Sequence, residues 1–214
     1  MAKIIAIDGP ASVGKSTLSK KLSRQFKAPV LYSGKLYRAL ALEIIKQKIN
    51  PGNTKGILEC INYIHLDNLN SDELYSSEVD NISSIISAKK QLRNKLITLQ
   101  RSFPKKFGNS IKFAIIEGRD IGTVIFPRAD YKIFLWAASE VRAKRRYEQL
   151  RKNGKNVSYS NIFREINVRD RKDMTRKIAP LMPAANSVLL DTTYIDIELV
   201  FKVLKEKIIK TKTI

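Results

Sequence analysis

The chain has 214 residues, 43% hydrophobic and 28% charged, which suits one sizeable core with small insertions and excludes a disordered chain. Forty Lys and Arg against twenty Asp and Glu give a formal charge of +20, which attracts phosphate-bearing partners; with Lys202, Lys205, Lys207 and Lys210 on a solvated helix face, most of the excess reads as surface chemistry and not as a nucleic-acid site. One cysteine, Cys60, and one histidine, His65, exclude an internal disulfide and a Cys/His zinc site, no apolar run approaches the roughly 20 residues of a membrane helix, and no secretory pattern is visible, so a cytoplasmic protein with no membrane partner is expected.

In chain order, KIIAID (3–8) is a continuous apolar run of strand length, and Thr17 to Phe26 then sets Leu18, Leu22 and Phe26 on one helical face. PVLYSG (29–34) predicts a second strand. Leu36 to Ile49 predicts a helix with Leu36, Leu40, Ile44 and Ile45 on one side, closed by Asn50-Pro51-Gly52. Residues 57–83 hold strand-like pieces, INYIHL and ELYSSEV, around a polar turn, and suggest a small cap; Cys60 reads as a buried apolar group and His65 as part of the first piece. KFAIIEG (112–118) and YKIFLWA (131–137) predict two buried strands, SEVRAKRRYEQL (139–150) a basic helix, SVLLDTT (187–193) a fifth strand, and Ile195 to Ile209 a closing helix. Residues 151–177, polar and basic, predict a mobile flap. The alternation calls for an α/β fold, a five-stranded parallel sheet with helices on both faces and ligands at the carboxyl ends of its strands. The organisation expected is a single domain: core 1–56, 104–150 and 178–214, a shortened cap insert 57–103, and a lid 151–177.

Gly9, Gly14, Lys15 and Ser16 satisfy G-x-x-x-x-G-K-[ST] between a buried strand and an amphipathic helix. By chance the pattern occurs in such a chain on the order of once in a hundred. Backbone amides and the helix N-terminus would cradle phosphate oxygens, the lysine would reach the outer phosphates, and the Ser16 hydroxyl would serve Mg²⁺. Absent motifs narrow the class. There is no N-K-x-D base-reading motif or D-x-x-G switch of a GTPase, and no strand ending in adjacent acids as in a motor ATPase. A kinase of small substrates remains, and it needs a second phosphate station, positive charge over the transferring group and a lid. Ser33, Gly34, Tyr37 and Arg38 follow the second strand, Glu117-Gly118-Arg119-Asp120 ends the third, and Arg169, Arg171, Asp173 and Arg176 lie in the flap. Arg142, Lys144, Arg145 and Arg146 read as a solvated basic face, and Trp136 as core or as a flank of the nucleotide site. The residues alone leave open a nucleic-acid-associated ATPase and a kinase for another small acceptor.

The stretches IAIDGPASVGKST, LYSGKLYRALAL, IIEGRDIGTV and RDRKDMTRKIAPL together resemble the bacterial cytidylate kinases of the nucleoside monophosphate kinase group, over nearly the whole chain. The resemblance implies transfer of the γ-phosphoryl group of ATP to CMP or dCMP with Mg²⁺, by a monomer. It implies that Gly9, Pro10, Ala11, Ser12, Val13, Gly14, Lys15, Ser16 and Thr17 hold ATP, with Ser16 on the metal. It implies that Ser33, Gly34, Tyr37, Arg38, Ser84, Arg93, Arg119, Asp120, Arg169, Asp173 and Arg176 bind the acceptor, and that Lys15, Arg119, Asp120, Arg169 and Arg176 act in catalysis. Two departures stand out: the cap is about one hairpin short of the family's three-stranded antiparallel form, and Tyr32 stands where several relatives carry Asp.

Overall fold

The structure is a computed structural model that describes residues 2–64, 69 and 72–210; His65 and the end of INYIHL lie outside the described residues. In chain order the elements are β1 (Lys3–Asp8), α1 (Lys15–Phe26), β2 (Val30–Tyr32), α2 (Ser33–Lys46), α3 (Thr54–Cys60), α4 (Ser77–Ile86), α5 (Lys90–Ser102), β3 (Phe113–Gly118), β4 (Tyr131–Trp136), α6 (Ser139–Lys152), α7 (Tyr159–Thr175), β5 (Val188–Asp191) and α8 (Ile197–Lys210). They fall into two compact units, one of Met1–Leu31 with Phe107–Ile214, the other of Tyr32–Lys106.

The expected five-stranded parallel sheet is present, in the order β2-β3-β1-β4-β5. From β1 the chain crosses to β2 on one side, and from β3 it crosses back over β1 to β4 on the other. The switch point therefore lies between β1 and β3, where Asp8 is paired with Gly118 at the carboxyl ends; this is where a doubly wound sheet opens a crevice. The core explains why these runs are strands and helices. Ile5 and Ile7 of β1, Ile115 of β3 and Ile133 and Leu135 of β4 pack against Leu18 and Leu22 of α1 and Val200, Leu204 and Ile208 of α8. Each such side chain contributes roughly 1.5–3 kcal/mol on burial. Helix α1 stops at Lys27, which takes a left-handed conformation (φ 48°) and donates its backbone N–H to Ser23.

The second unit has its own core, in which Leu40, Ala41 and Ile44 of α2 meet Ile57, Cys60, Val79, Ile86, Leu92 and Leu96. Cys60 is buried, as expected. Helix α2, expected in the core domain, thus packs with the cap segment. The strand-like reading of 57–83 is corrected: α3, a 3₁₀ turn at Ile61–Tyr63, another at Asp72–Tyr75 and α4 fill the described part of that stretch. The reason is periodicity. Ile57, Cys60 and Ile61 are spaced i, i+3, i+4, and Val79, Ile82 and Ile86 i, i+3, i+7, one helical face in each case. Ser76 caps α4 by accepting the Val79 N–H.

The expected flap is largely helical. Of residues 151–177 most form α7, a 17-residue helix. Ile162 and Ile166, one turn apart, are buried with Ala143, Tyr147, Leu150 and Phe163, so α7 docks along α6 and only the connection around Gly154 is irregular.

Candidate active site

The phosphate loop hangs from the carboxyl end of β1, and its first glycine is obligatory. Gly9 has φ 148°, and a Cβ there would lie 2.3 Å from the Leu135 carbonyl oxygen of β4. Gly14 (φ 101°) turns the chain into α1, whose first turn holds neither a side-chain cap nor an acid, so its amides remain for an anion. The loop's carbonyls are held by side-chain donors. Lys15 Nζ donates to the carbonyls of Gly9 (2.8 Å) and Pro10 (2.6 Å), Arg142 donates to that of Ala11 (3.2 Å), and the Thr192 hydroxyl to that of Val13 (3.4 Å). Lys15 is buried, and burial together with the nearby Arg119 charge holds its ammonium well below the ordinary lysine range, against the pull of Glu117.

Glu117, left without a role by the sequence reading, closes β3 and accepts the Ser16 hydroxyl on one carboxylate oxygen and the Ser19 hydroxyl on the other, both at 2.7 Å. Its signal was its place as the one acid within the otherwise apolar run of β3. Asp8 ends β1 and accepts the backbone N–H groups of Ile121 (2.8 Å) and Gly122 (2.7 Å), tying the EGRDIG turn to the phosphate loop's strand. Burial pushes its carboxyl up to about 6, against the lowering effect of those two amides.

Four predicted residues meet in one network. Arg119 donates through Nε to Asp173 Oδ2 at 2.9 Å; Arg176 lies 3.6 Å from Asp173 Oδ1 and 3.7 Å from Asp120 Oδ1, and donates to the Ala179 carbonyl at 2.6 Å. Asp173 is held below the usual carboxylate range by Arg119, Arg169 and Arg176 despite its burial, and Arg169 acts on Lys15 as well. Arg119 and Arg169 thus act electrostatically on both Asp173 and the phosphate-loop lysine. Two readings fail here. Arg142 is not on a solvated face: it is 1% exposed, bonded to the Ala137 carbonyl (2.8 Å) and paired with Asp170 (2.6 Å). Arg145 grips the carbonyl of Thr192 at 2.6 Å. Lys144 does face solvent. Trp136 is 39% exposed, with the Arg142 guanidinium 5.8 Å from its ring, so the core reading is excluded.

Ser33, Gly34, Tyr37, Arg38, Ser84 and Arg93 belong to the second unit. The Ser33 hydroxyl donates to Gln100 Oε1 (2.5 Å), and Arg38 pairs with Asp80, donates to the Leu74 carbonyl (2.8 Å) and lies 5.2 Å from the Tyr75 ring. Arg93 is buried, donates to the Ser87 carbonyl (3.0 Å) and sits 5.9 Å from the Tyr37 ring. Ser84 offers its carbonyl to the Ser87 hydroxyl, and Gly34 has open space where a side chain would be. Gln100 and Asp80, which orient Ser33 and Arg38, were not foreseen; their partners are 67 and 42 residues away in sequence.

A family profile for cytidylate kinase matches residues 5–210. The chain belongs to the cytidylate kinase family. It is 39% identical over 93% of its length to a cytidylate kinase of Methylocella silvestris (90% of that protein), and 37% identical over 99% to one of Caldicellulosiruptor bescii, spanning all of it. The fold is also that of solved structures too distant in sequence to speak for more: an uncharacterized protein from Eubacterium ventriosum (13% identity, TM-score 0.56, 98% and 99% of the two chains) and a sugar kinase from Janibacter (9%, 0.51, 95% and 92%). This cytidylate kinase family member is an enzyme of the kinase class, and no helix among its described residues is long and apolar enough to cross a membrane.

Proposed function

We propose that this chain transfers the γ-phosphoryl group of ATP to CMP or dCMP, giving CDP or dCDP and ADP, as a cytoplasmic monomer in pyrimidine nucleotide metabolism that acts on free nucleotides. The observation that carries the reading is the phosphate loop, with its carbonyls held by Lys15, Arg142 and Thr192, beside Arg119 and Arg176, which share Asp173. Residues 9–17 hold the triphosphate in this reading, and Lys15 lies along its outer phosphates. Ser33, Gly34, Tyr37, Arg38, Ser84 and Arg93, with Arg119, Asp120, Arg169, Asp173 and Arg176, serve the acceptor nucleotide.

Phosphoryl transfer asks the protein for position and charge more than for covalent chemistry. Arg119 and Arg176 are pre-aimed by Asp173 and Asp120, so their donors need little reorganisation when negative charge spreads over the transferring group. Ser16 and Glu117 supply the hard hydroxyl and carboxylate oxygens that suit Mg²⁺, which takes one or two carboxylates and completes its shell with water and phosphate. When bound there, Mg²⁺ would neutralise phosphate charge. Helix α7 carries Arg169 and Asp173, Arg176 follows its last residue, and the helix forms most of the lid.

An ADP-release assay offering CMP, dCMP, UMP and AMP in turn tests the proposal. Turnover with CMP or dCMP well above that with AMP is expected, and a purified, folded chain that leaves CMP untouched sinks it.

A further inference from the structure

The phosphate loop cradles anions only while its amides point inward, and that requires its carbonyls to be held outward. The local motif accounts for part of this: Lys15 takes the carbonyls of Gly9 and Pro10, and Leu18 N–H takes that of Gly14. The Ala11 carbonyl, at the crest of the loop, is held from outside the motif. Its donor is Arg142 Nη1, 131 residues away, the same nitrogen that lies 2.6 Å from Asp170 Oδ2 in α7. Arg142 is itself fixed by its Nε–H bond to the Ala137 carbonyl at the end of β4. One guanidinium thus joins the sheet, the phosphate loop and the helix that carries Arg169 and Asp173 and leads into Arg176.

The pair is poorly built for stability alone. A buried ion pair often adds nothing over an apolar substitute, and Asp170 leaves its other carboxylate oxygen buried with no hydrogen-bond partner. What the arrangement does provide is register. Asp170 stands between Arg169 and Arg171 and one turn before Asp173, so its place along α7 sets where those groups stand relative to Ala11.

We infer that Arg142 and Asp170 are a positioning pair that couples occupancy of the phosphate loop to the placement of the lid arginines on α7. Neither touches the transferring group; Arg142 acts through the Ala11 carbonyl and Asp170 through the helix it anchors. The inference rests on the loop being the triphosphate site. A chain that failed to release ADP with CMP would overturn the acceptor assignment and leave the following test readable.

The test is amide hydrogen exchange with and without a non-hydrolysable ATP analogue, on the wild-type chain, Arg142→Lys and Asp170→Asn. In the wild type the analogue should slow exchange in residues 9–16 and in α7 together. In either variant we expect protection of 9–16 to persist at a higher analogue concentration and protection of α7 to be lost. Steady-state kinetics should agree, with KM for ATP raised about tenfold, kcat lowered by a similar factor and KM for CMP changed less than about twofold. The double variant should be no worse than the more damaged single one, as for residues that act as a unit. Equal protection of α7 in wild type and variants overturns the proposal; so do exchange rates raised everywhere regardless of nucleotide, which mark a merely structural pair, and strictly additive kinetic effects. Should Arg142→Lys fail to fold, Asp170→Asn, which keeps the arginine and its bonds to Ala11 and Ala137, decides alone.

Discussion

Asp8 should make the empty protein more stable as the pH falls from neutral toward 5. Its carboxyl is raised from an ordinary 3.8 to about 6 in the fold, chiefly by burial. Between those values the folded state binds more protons than the unfolded state, so stability falls as pH rises through this window. The full penalty, a little over two pKa units or about 3 kcal/mol, is present above pH 7, and about half of it is relieved at pH 5. Asp173 titrates in the opposite sense, but its carboxyl is lowered, so its contribution is lost only below about pH 4, outside the window. Asp8→Asn removes this titration together with its charge interactions with Asp120 and Lys15. The amide can accept one of the Ile121 and Gly122 N–H groups and leaves the other unmet, a cost of about 1–3 kcal/mol that roughly offsets removal of the buried charge at pH 7.5. At pH 5 the offset shrinks, and the variant should be the less stable chain by roughly an additional 1 kcal/mol. Urea unfolding at half-unit steps of pH, followed by the fluorescence of Trp136 and by circular dichroism, measures both curves. A difference between the variant and the wild type that does not change with pH would refute the account of Asp8.

Other expectations follow from particular contacts. Gly9→Ala drives a Cβ into the Leu135 carbonyl, so ATP binding measured by calorimetry should be lost and the unfolding midpoint lowered. Arg176→Ala removes a cation pre-aimed by Asp173 and Asp120; kcat should fall about 100-fold or more while KM for ATP changes little, in steady-state assays. Glu117→Gln keeps an acceptor for one serine hydroxyl and loses the carboxylate, so the Mg²⁺ concentration for half-maximal activity should rise several-fold in a metal titration. Leu22→Ala empties a site in the core between α1 and the sheet, with a loss of about 2–5 kcal/mol in denaturant unfolding and no change in substrate preference.

The parts of the fold that were legible in the amino-acid order are those whose cause is local. KIIAID is buried on both faces and therefore continuously apolar, and the turn that follows needs glycines for φ values and close approach that no other residue accepts. Helix α7 was not legible as a helix because its stabilisation is tertiary. Its apolar side is a short stripe, Ile162 and Ile166 with Phe163 beside them, in a segment otherwise polar, and polar composition reads as loop until α6 is there to cover the stripe. The cap was misread because Ile61 to Leu66 alternates over too few residues to separate period 2 from period 3.6. In the site, EGRD and the flap residues were legible from type and position. Arg142 was not: a basic residue among basic residues looks solvated, and what makes it buried is Asp170, 28 positions later, and a carbonyl 131 positions earlier. Glu117 was visible as an isolated acid, but its partners Ser16 and Ser19 sit on another element about 100 residues away.

The sheet order has a consequence for how the molecule comes into being. Of the five strands in the sheet, β1 is made before the others and is the central one, flanked by β3 and β4, whose first residues are Phe113 and Tyr131. At about 5–20 residues per second, roughly 5–20 seconds of synthesis pass before β1 meets either neighbour. During that interval Ile4, Ile5, Ala6 and Ile7 have no strand to pair with, and the Thr192 hydroxyl that holds the Val13 carbonyl is later still. β1 is therefore made well before the strands that cover its two edges, and the nucleotide-binding loop waits for Thr192 before all of its carbonyl contacts can form.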